Sequence, residues 1–388
     1  MKKIVKLAGI DLSKEEMYSK KLLRAGIKLN TPPVCNWACP YCYASSPELQ
    51  KNLKEEDYIR YKDANWHLKM FKWVKELKKV GLKAITINGM FEPLTSPKLK
   101  EVINFVYEEN LAITLVTNGV LLTDELIEFL KSKKVSILTK LNVPIVEKDS
   151  PLYNDVIEIQ KQMTGLKGNA EKIYEDQKNM IKKLIAYGFN KCENPDTSYL
   201  GIETVICKLN INYIPELIRQ CRELNIYSHA EVIKLQGYAK NFEEYQLTDL
   251  ELKKLFEEVQ ERDIKEGYEF WEAKPPYIGG TCYQNLMRID LHDNGDIYPC
   301  PGIDLKLGNL EEESILSILN NKNLQVIRQL EDLIEGDCKT CEQFKNRSCY
   351  GGCRGTVFQT LKNKGYGTYE ALVGSDPSCW RVKKILDK

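Results

Sequence analysis

Several things are missing from this 388-residue chain, and each absence removes a class of function. No apolar run approaches the ~18 residues of a membrane span, so no transmembrane segment is expected. The opening residues, MKKIVKLAGI, are basic and apolar. They lack a long hydrophobic core and a small-residue cleavage site, so no signal peptide is expected. Neither sign of charge dominates: 56 Lys and Arg stand against 55 Asp and Glu, for a net charge of +1. Nothing in that balance asks for nucleic acid or an anionic membrane surface as a partner. The expected location is the cytoplasm.

What the chain has is cysteine, 13 in all. A chain of this length is no small disulfide-stapled scaffold, and tight cysteine groups in a cytosolic protein point to metal. Cys35, Cys39 and Cys42 form one group. Cys282, Cys300, Cys338, Cys341, Cys349, Cys353 and Cys379 form another. Cys192, Cys207 and Cys221 have no ligand spacing and read as small buried thiols.

Between the two groups the chain alternates strand and helix. Residues 28–34 (KLNTPPV) read as a strand leading into Cys35. A helix over 66–80 places Leu68, Phe71, Val74 and Leu77 at inward spacing. Strands follow at 84–88 and 111–117, with a helix over 97–108 between them. Thr123 caps a helix over 123–133 whose inner face is Leu126, Phe129 and Leu130. Strand 135–141, helix 171–187, strand 200–207, helix 213–224 and strand 229–235 continue the series. About six such units imply parallel strands with crossover helices. Their apolar runs read as burial on both faces. The repeat stops near residue 236, short of a full eight-unit barrel. Segment 144–170 breaks the rhythm and reads as an insertion. A long helix covers 248–264.

Ligands of such folds sit at the C-terminal ends of the strands. Cys35, Asn88, Glu92 and Asn118 all fall there. The first group reads Cys35-Asn36-Trp37-Ala38-Cys39-Pro40-Tyr41-Cys42, a C-x3-C-x2-C spacing. Thiolates suit iron–sulfur clusters or zinc. Three of them can hold three irons of a four-iron cluster, leaving one iron open to the amine and carboxylate of a methionine. A zinc knuckle is the plainer alternative.

With this motif the chain resembles the radical SAM superfamily, over residues 27–236. The resemblance makes Cys35, Cys39 and Cys42 the catalytic cluster ligands and sets Tyr41 against the adenine of S-adenosylmethionine. The family's Gly-Gly-Glu-Pro turn is represented by Met90-Phe91-Glu92-Pro93. Glu92 remains, the two glycines do not, and Gly89 stands just before. Thr117-Asn118-Gly119 resembles the family's turn after the third strand. The implied cofactor-binding set is Tyr41, Gly89, Glu92, Asn118 and Glu203.

The second group resembles the SPASM extension of that superfamily. The turn Asp293-Asn294-Gly295-Asp296 predicts a hairpin that draws Cys282 and Cys300 together. By position, auxiliary cluster I uses Cys282, Cys300 and Cys353, leaving an open iron or a non-cysteine ligand. Auxiliary cluster II uses Cys338, Cys341, Cys349 and Cys379. The expected fold class is therefore α/β, a partial (β/α)6 TIM-like barrel with a small C-terminal iron–sulfur domain. Its divisions are an N-terminal extension (1–27), the barrel (28–236), a bridging helical segment (237–280) and the auxiliary-cluster domain (281–388).

The resemblance implies three [4Fe-4S] clusters, S-adenosylmethionine and an electron donor such as flavodoxin or ferredoxin. It implies a 5′-deoxyadenosyl radical that abstracts hydrogen from a peptide or protein. The alternative substrate is a small molecule such as a sugar, an aminoglycoside or a haem precursor. Only 34 residues precede Cys35, too few for the leader-recognition domain common in peptide maturases. Tyr43, Glu92, Glu203, His229 and Glu231 are acid–base candidates. His229, opening the sixth strand, is expected to face the surrounding structure or the bottom rim rather than substrate.

Overall fold

Alternation of side chains along short strands decides the architecture. The computed structural model describes residues 1–10, 12–29, 35–43, 65–89 and 91–382. Six parallel strands lie side by side in chain order. They are β1 (Arg24–Lys28), β2 (Ala84–Asn88), β3 (Ala112–Thr117), β4 (Ser136–Lys140), β5 (Leu200–Ile206) and β6 (Tyr227–Val232). Helices connect them, giving the expected partial barrel.

The strands are not buried apolar ribbons on both faces, as their sequences suggest. Ile27, Ile85, Ile87, Ile113, Leu115, Ile137 and Ile202 pack outward into one core with the helices. The residues between them face the lumen, because successive side chains point to opposite faces. That inner set includes Lys28, Thr86, Asn88, Lys140, Glu203, His229 and Glu231. The lumen is therefore polar and charged.

The first strand lies earlier than expected, at Arg24–Lys28, while residues 30–34 fall outside the described residues. A mid-strand glycine hides it in the sequence. Gly26 is needed because a Cβ there would sit 2.3 Å from Asp290 Oδ1 and 2.4 Å from Arg288 Nη2. The sixth strand also starts earlier, at Tyr227 rather than residue 229.

The helix Trp66–Lys79 buries Met70, Val74 and Leu77. Leu68, expected inward, is 47% exposed, and Phe71 is only half-buried, stacked on Phe105. The Thr123 side chain accepts from the Leu126 amide as expected, but its helix buries Ile127 with Leu130. Segment 144–170 contains a helix of its own, Tyr153–Thr164.

The sheet continues past the sixth unit. β7 (Arg288–His292) pairs in parallel with β1, and β8 (Asp296–Tyr298) and β9 (Gly308–Asn309) add on antiparallel. The order is β9-β8-β7-β1-β2-β3-β4-β5-β6. The turn at 293–296 makes the expected hairpin, and β7 ties the C-terminal segment directly to the barrel. No helix of the described residues is long and apolar enough to cross a membrane.

The bridge carries the helix Asp249–Lys265, started by a Thr248–Glu251 capping box. It packs against β6 through Phe256, Val259 and Trp271. Asp263 fixes it there. Arg222 Nε reaches Asp263 Oδ1 at 3.3 Å, and Trp271 Nε1 donates to Oδ2 at 2.8 Å. All three side chains are buried. Asp263→Ala leaves the Arg222 guanidinium without its carboxylate, and a loss of about 3–5 kcal/mol is expected. A thermal melt that stays at the wild-type midpoint would contradict this role.

Candidate active site

The first cysteine loop sits over the C-terminal ends of the strands and is tied to them by short polar contacts. The Cys42 amide donates to the Cys39 carbonyl at 3.1 Å, closing a turn. The Ala38 amide donates to the Thr164 carbonyl at 3.0 Å, so the helix Tyr153–Thr164 braces the loop from one side. From the other side, Asn118 Nδ2 donates to Asn36 Oδ1 at 2.6 Å. The Asn118 amide in turn donates to Glu92 Oε2 at 2.9 Å. Glu92 also accepts from the Leu94 amide and the Thr117 hydroxyl. Its carboxylate is thus spent on holding the turns after β2 and β3, and burial raises its pKa. Any contribution of Glu92 to a cofactor site comes through that turn. Gly89 stands where a Cβ would meet the Phe91 carbonyl oxygen at 2.5 Å. Met90 lies outside the described residues.

Tyr41 is buried among Met163, Val205, Ile233 and Phe242, and its hydroxyl accepts from Asn142 Nδ2 at 3.0 Å. Asn142, just past β4, was not singled out from the sequence. Nor was Lys140, which closes its strand, whereas Glu203 was marked as a polar residue inside one. The two are in register, with Lys140 Nζ 2.6 Å from Glu203 Oε2.

Deeper in the lumen, His229 is held by the protein's own side chains, one of the placements expected of it. Its Nδ1 lies 3.0 Å from the Tyr227 hydroxyl, its ring packs on Tyr277, and burial lowers its pKa. Glu203, His229 and Glu231 bring potential ligand atoms within 4.8 Å of one another. A metal ion is not needed to balance them. Lys140 answers Glu203, and Lys234 hydrogen-bonds Glu231. The Lys234 ammonium also lies 4.9 Å from the centre of the Tyr43 ring.

The C-terminal cysteines separate into two groups. Cys338, Cys341, Cys349 and Cys379 line one cavity with Lys274, Asp376 and Arg381. Cys282, Cys300 and Cys353 are mutual electrostatic neighbours. Cys353 caps the helix Arg354–Asn363. The turn after Cys300 is pressed onto that helix backbone to backbone, since a Cβ on Gly355 would lie 2.8 Å from the Gly302 Cα. None of the 13 cysteines is in a disulfide. Cys207 and Cys221 are buried thiols, as expected.

Burial pushes the Cys39, Cys282, Cys300 and Cys379 thiols up to about 12. Thiols gathered in threes and fours out of water, with no bridges between them, are poor as a bare core. They suit soft metal ions that displace their protons.

A partial barrel capped by a three-cysteine loop, with seven further thiols beside it, defines an iron–sulfur enzyme. Residues 29–221 match the radical SAM superfamily, and residues 282–342 match SPASM, an iron–sulfur cluster-binding domain. The chain belongs to the radical SAM superfamily and carries a C-terminal SPASM domain. Among curated relatives it is 23% identical over 356 residues to the AdoMet-dependent heme synthase of Methanosarcina barkeri, covering 84% of this chain and 89% of that one. It is 25% identical to a probable GTP 3′,8-cyclase of Methanococcus maripaludis over 74% of this chain and 87% of the relative. Among solved structures it shares the fold of Streptococcus suis SuiB bound to its precursor peptide SuiA. There the TM-score is 0.62 at 18% identity, over 95% of this chain and 78% of SuiB. It also shares the fold of anSMEcpe with bound AdoMet, with a TM-score of 0.56 at 16% identity over 87% and 90% of the two chains.

Two expectations follow. Gly355→Ala separates Cys300 from Cys353, and iron content should fall by about four per chain against wild type. An unchanged iron content would show that this contact does not hold the group together. The second concerns pH. Folded Cys282 and Cys300 titrate above their ordinary 9.0. Their contribution to metal-free stability is therefore full below about pH 9 and is lost as pH rises toward 12. The metal-free protein should melt progressively lower across that window, and the metal-loaded protein should not. Identical pH profiles for the two forms would contradict the assignment.

Proposed function

We propose that this enzyme reductively cleaves S-adenosylmethionine and uses the 5′-deoxyadenosyl radical to take a hydrogen atom from a peptide or protein. The observation that carries this is the C-x3-C-x2-C loop, held by Asn36, Asn118 and Glu92 over the open end of a charged lumen. Cys35, Cys39 and Cys42 would hold the iron–sulfur cluster, which when bound would supply the electron for cleavage of the C5′–S bond.

The chain's own residues do the rest. Tyr41 and Asn142 wall the adenine side, and Gly89 lets the backbone come close to the methionine amine. Asn118 and Glu92 fix the turns around it, and Glu203, held by Lys140, lines the lumen below. Cys282, Cys300 and Cys353 hold auxiliary cluster I, and Cys338, Cys341, Cys349 and Cys379 hold auxiliary cluster II. That makes three [4Fe-4S] clusters. The divisions at residues 28, 237 and 281 delimit barrel, bridge and auxiliary domain. A flavodoxin or ferredoxin in the cytoplasm supplies the electrons.

SuiB with its precursor peptide and anSMEcpe with a Cp18Cys peptide share this fold, and they support a peptide substrate. A second reading is a small molecule. It is favoured by the heme synthase and GTP cyclase relatives, whose sequences align over most of their length.

The test is 5′-deoxyadenosine formation by the anaerobically reconstituted enzyme with dithionite. Wild type should form it, and a Cys35/Cys39/Cys42→Ala variant should not. Wild type that forms none under reduction would remove the reading. Mass spectrometry of candidate peptides and tetrapyrroles after turnover then separates the two substrate classes.

A further inference from the structure

Three of the cations that face the lumen each have a carboxylate partner. Arg288 Nε pairs with Asp290 Oδ1 at 2.7 Å, Lys140 with Glu203 at 2.6 Å, and Lys234 with Glu231. Lys28 ends β1 and is only 5% exposed. Among the described residues its ammonium has no hydrogen bond and no carboxylate within ion-pair distance. Asp290, the nearest carboxylate in charge terms, is engaged by Arg288. Burial lowers the Lys28 pKa, and an anion bound beside the amine would offset that cost and keep it charged, so the unpaired Lys28 marks a place for an anion.

The neighbouring strands supply the rest of the site. Lys28 is in register with Asn88 on β2 and with His292 on β7, so all three side chains stand on the lumen face in one row. Asn88 Oδ1 is buried and has no hydrogen-bond partner. Because the two ends of an amide exchange by a flip, that orphan position offers an N–H to a bound oxygen equally well. His292 is held neutral by burial and by the charge of Lys28, so it adds no second cation. Lys28 has Cys42 and Cys300 among its electrostatic neighbours, so the row lies near both cysteine groups.

We propose that Lys28 and Asn88 form an oxyanion-binding subsite that holds a carboxylate or phosphate of the substrate at the C-terminal ends of β1 and β2. That the anion belongs to the substrate rests on the radical SAM reading; the anion site itself does not. A charge-assisted hydrogen bond from a desolvated ammonium is strong and directional, so this contact fixes which end of the substrate faces the cysteine loop.

The probe is sodium selenate, soaked into crystals of the reconstituted holoenzyme with S-adenosylmethionine and no reductant. The expected result is a selenium anomalous peak within hydrogen-bonding distance of Lys28 Nζ and the Asn88 amide. It should vanish in Lys28→Met and in the isosteric Asn88→Asp, and return in Lys28→Arg, with iron content at the wild-type level throughout. Competition by propionate or by inorganic phosphate at equal concentration tells which oxyanion the site prefers. No peak at Lys28 in wild type overturns the proposal. So does a fall in S-adenosylmethionine affinity of more than about tenfold in Lys28→Met, which would give the ammonium to the cofactor. A wild-type enzyme that makes no 5′-deoxyadenosine but binds selenate at Lys28 would remove the functional reading and leave the site standing.

Discussion

A charge carried into a protein interior has to be met by another, and that constraint organises the whole lumen. Lys140 and Glu203 meet because β4 and β5 are in register. Arg288 and Asp290 meet directly over Gly26, the one residue on β1 that leaves room for them. Buried pairs of this kind contribute little net stability, since desolvation offsets most of their attraction. Their concentration in one cavity is better explained by what the cavity binds. β7 then has a second purpose beyond extending the sheet. It brings Arg288, Asp290 and His292 into the lumen from a segment more than 250 residues after β1 in sequence.

The cysteines obey the same constraint in another form. Their thiols are gathered on short loops without disulfides, and burial raises the pKa of Cys300 and Cys379 among them. Backbone contacts set the geometry: Ala38 to Thr164 for the first loop, and Gly302 against Gly355 for the Cys300–Cys353 pair. Metal binding and folding are coupled at such sites, so the C-terminal segment gains its order from what it holds. The match to the SPASM domain stops at residue 342. The cavity that joins Cys349 and Cys379 to Cys338 and Cys341 completes the four-thiol set independently.

The sequence showed the chemistry more clearly than the geometry. Cysteine spacing is local, so both groups could be read directly, and Thr123 announced its helix because a cap is a local bond. Glu203 and Glu231 stood out as charges inside apolar strands. Asn88 stood out only as a residue at a strand end, and Lys28 and His292 did not, because their row exists only through pairing between distant strands. β1 was displaced because RAGIK contains a glycine whose reason, the Arg288–Asp290 pair, lies far along the chain. The sixth strand begins two residues earlier than its apolar run suggests, which sets His229 inside the strand rather than at its start. Segment 144–170 looked like an insertion, and its role as a brace for the cysteine loop depends on one tertiary hydrogen bond.

The proposed function requires that each of the three thiol groups binds iron. An anaerobic crystal structure of the reconstituted protein, with anomalous data on both sides of the iron and zinc absorption edges, tests it most directly. The account predicts iron at Cys35/Cys39/Cys42, at Cys282/Cys300/Cys353 and at Cys338/Cys341/Cys349/Cys379, and zinc at none of them. Zinc at either C-terminal group, or iron at the first loop alone, would contradict it.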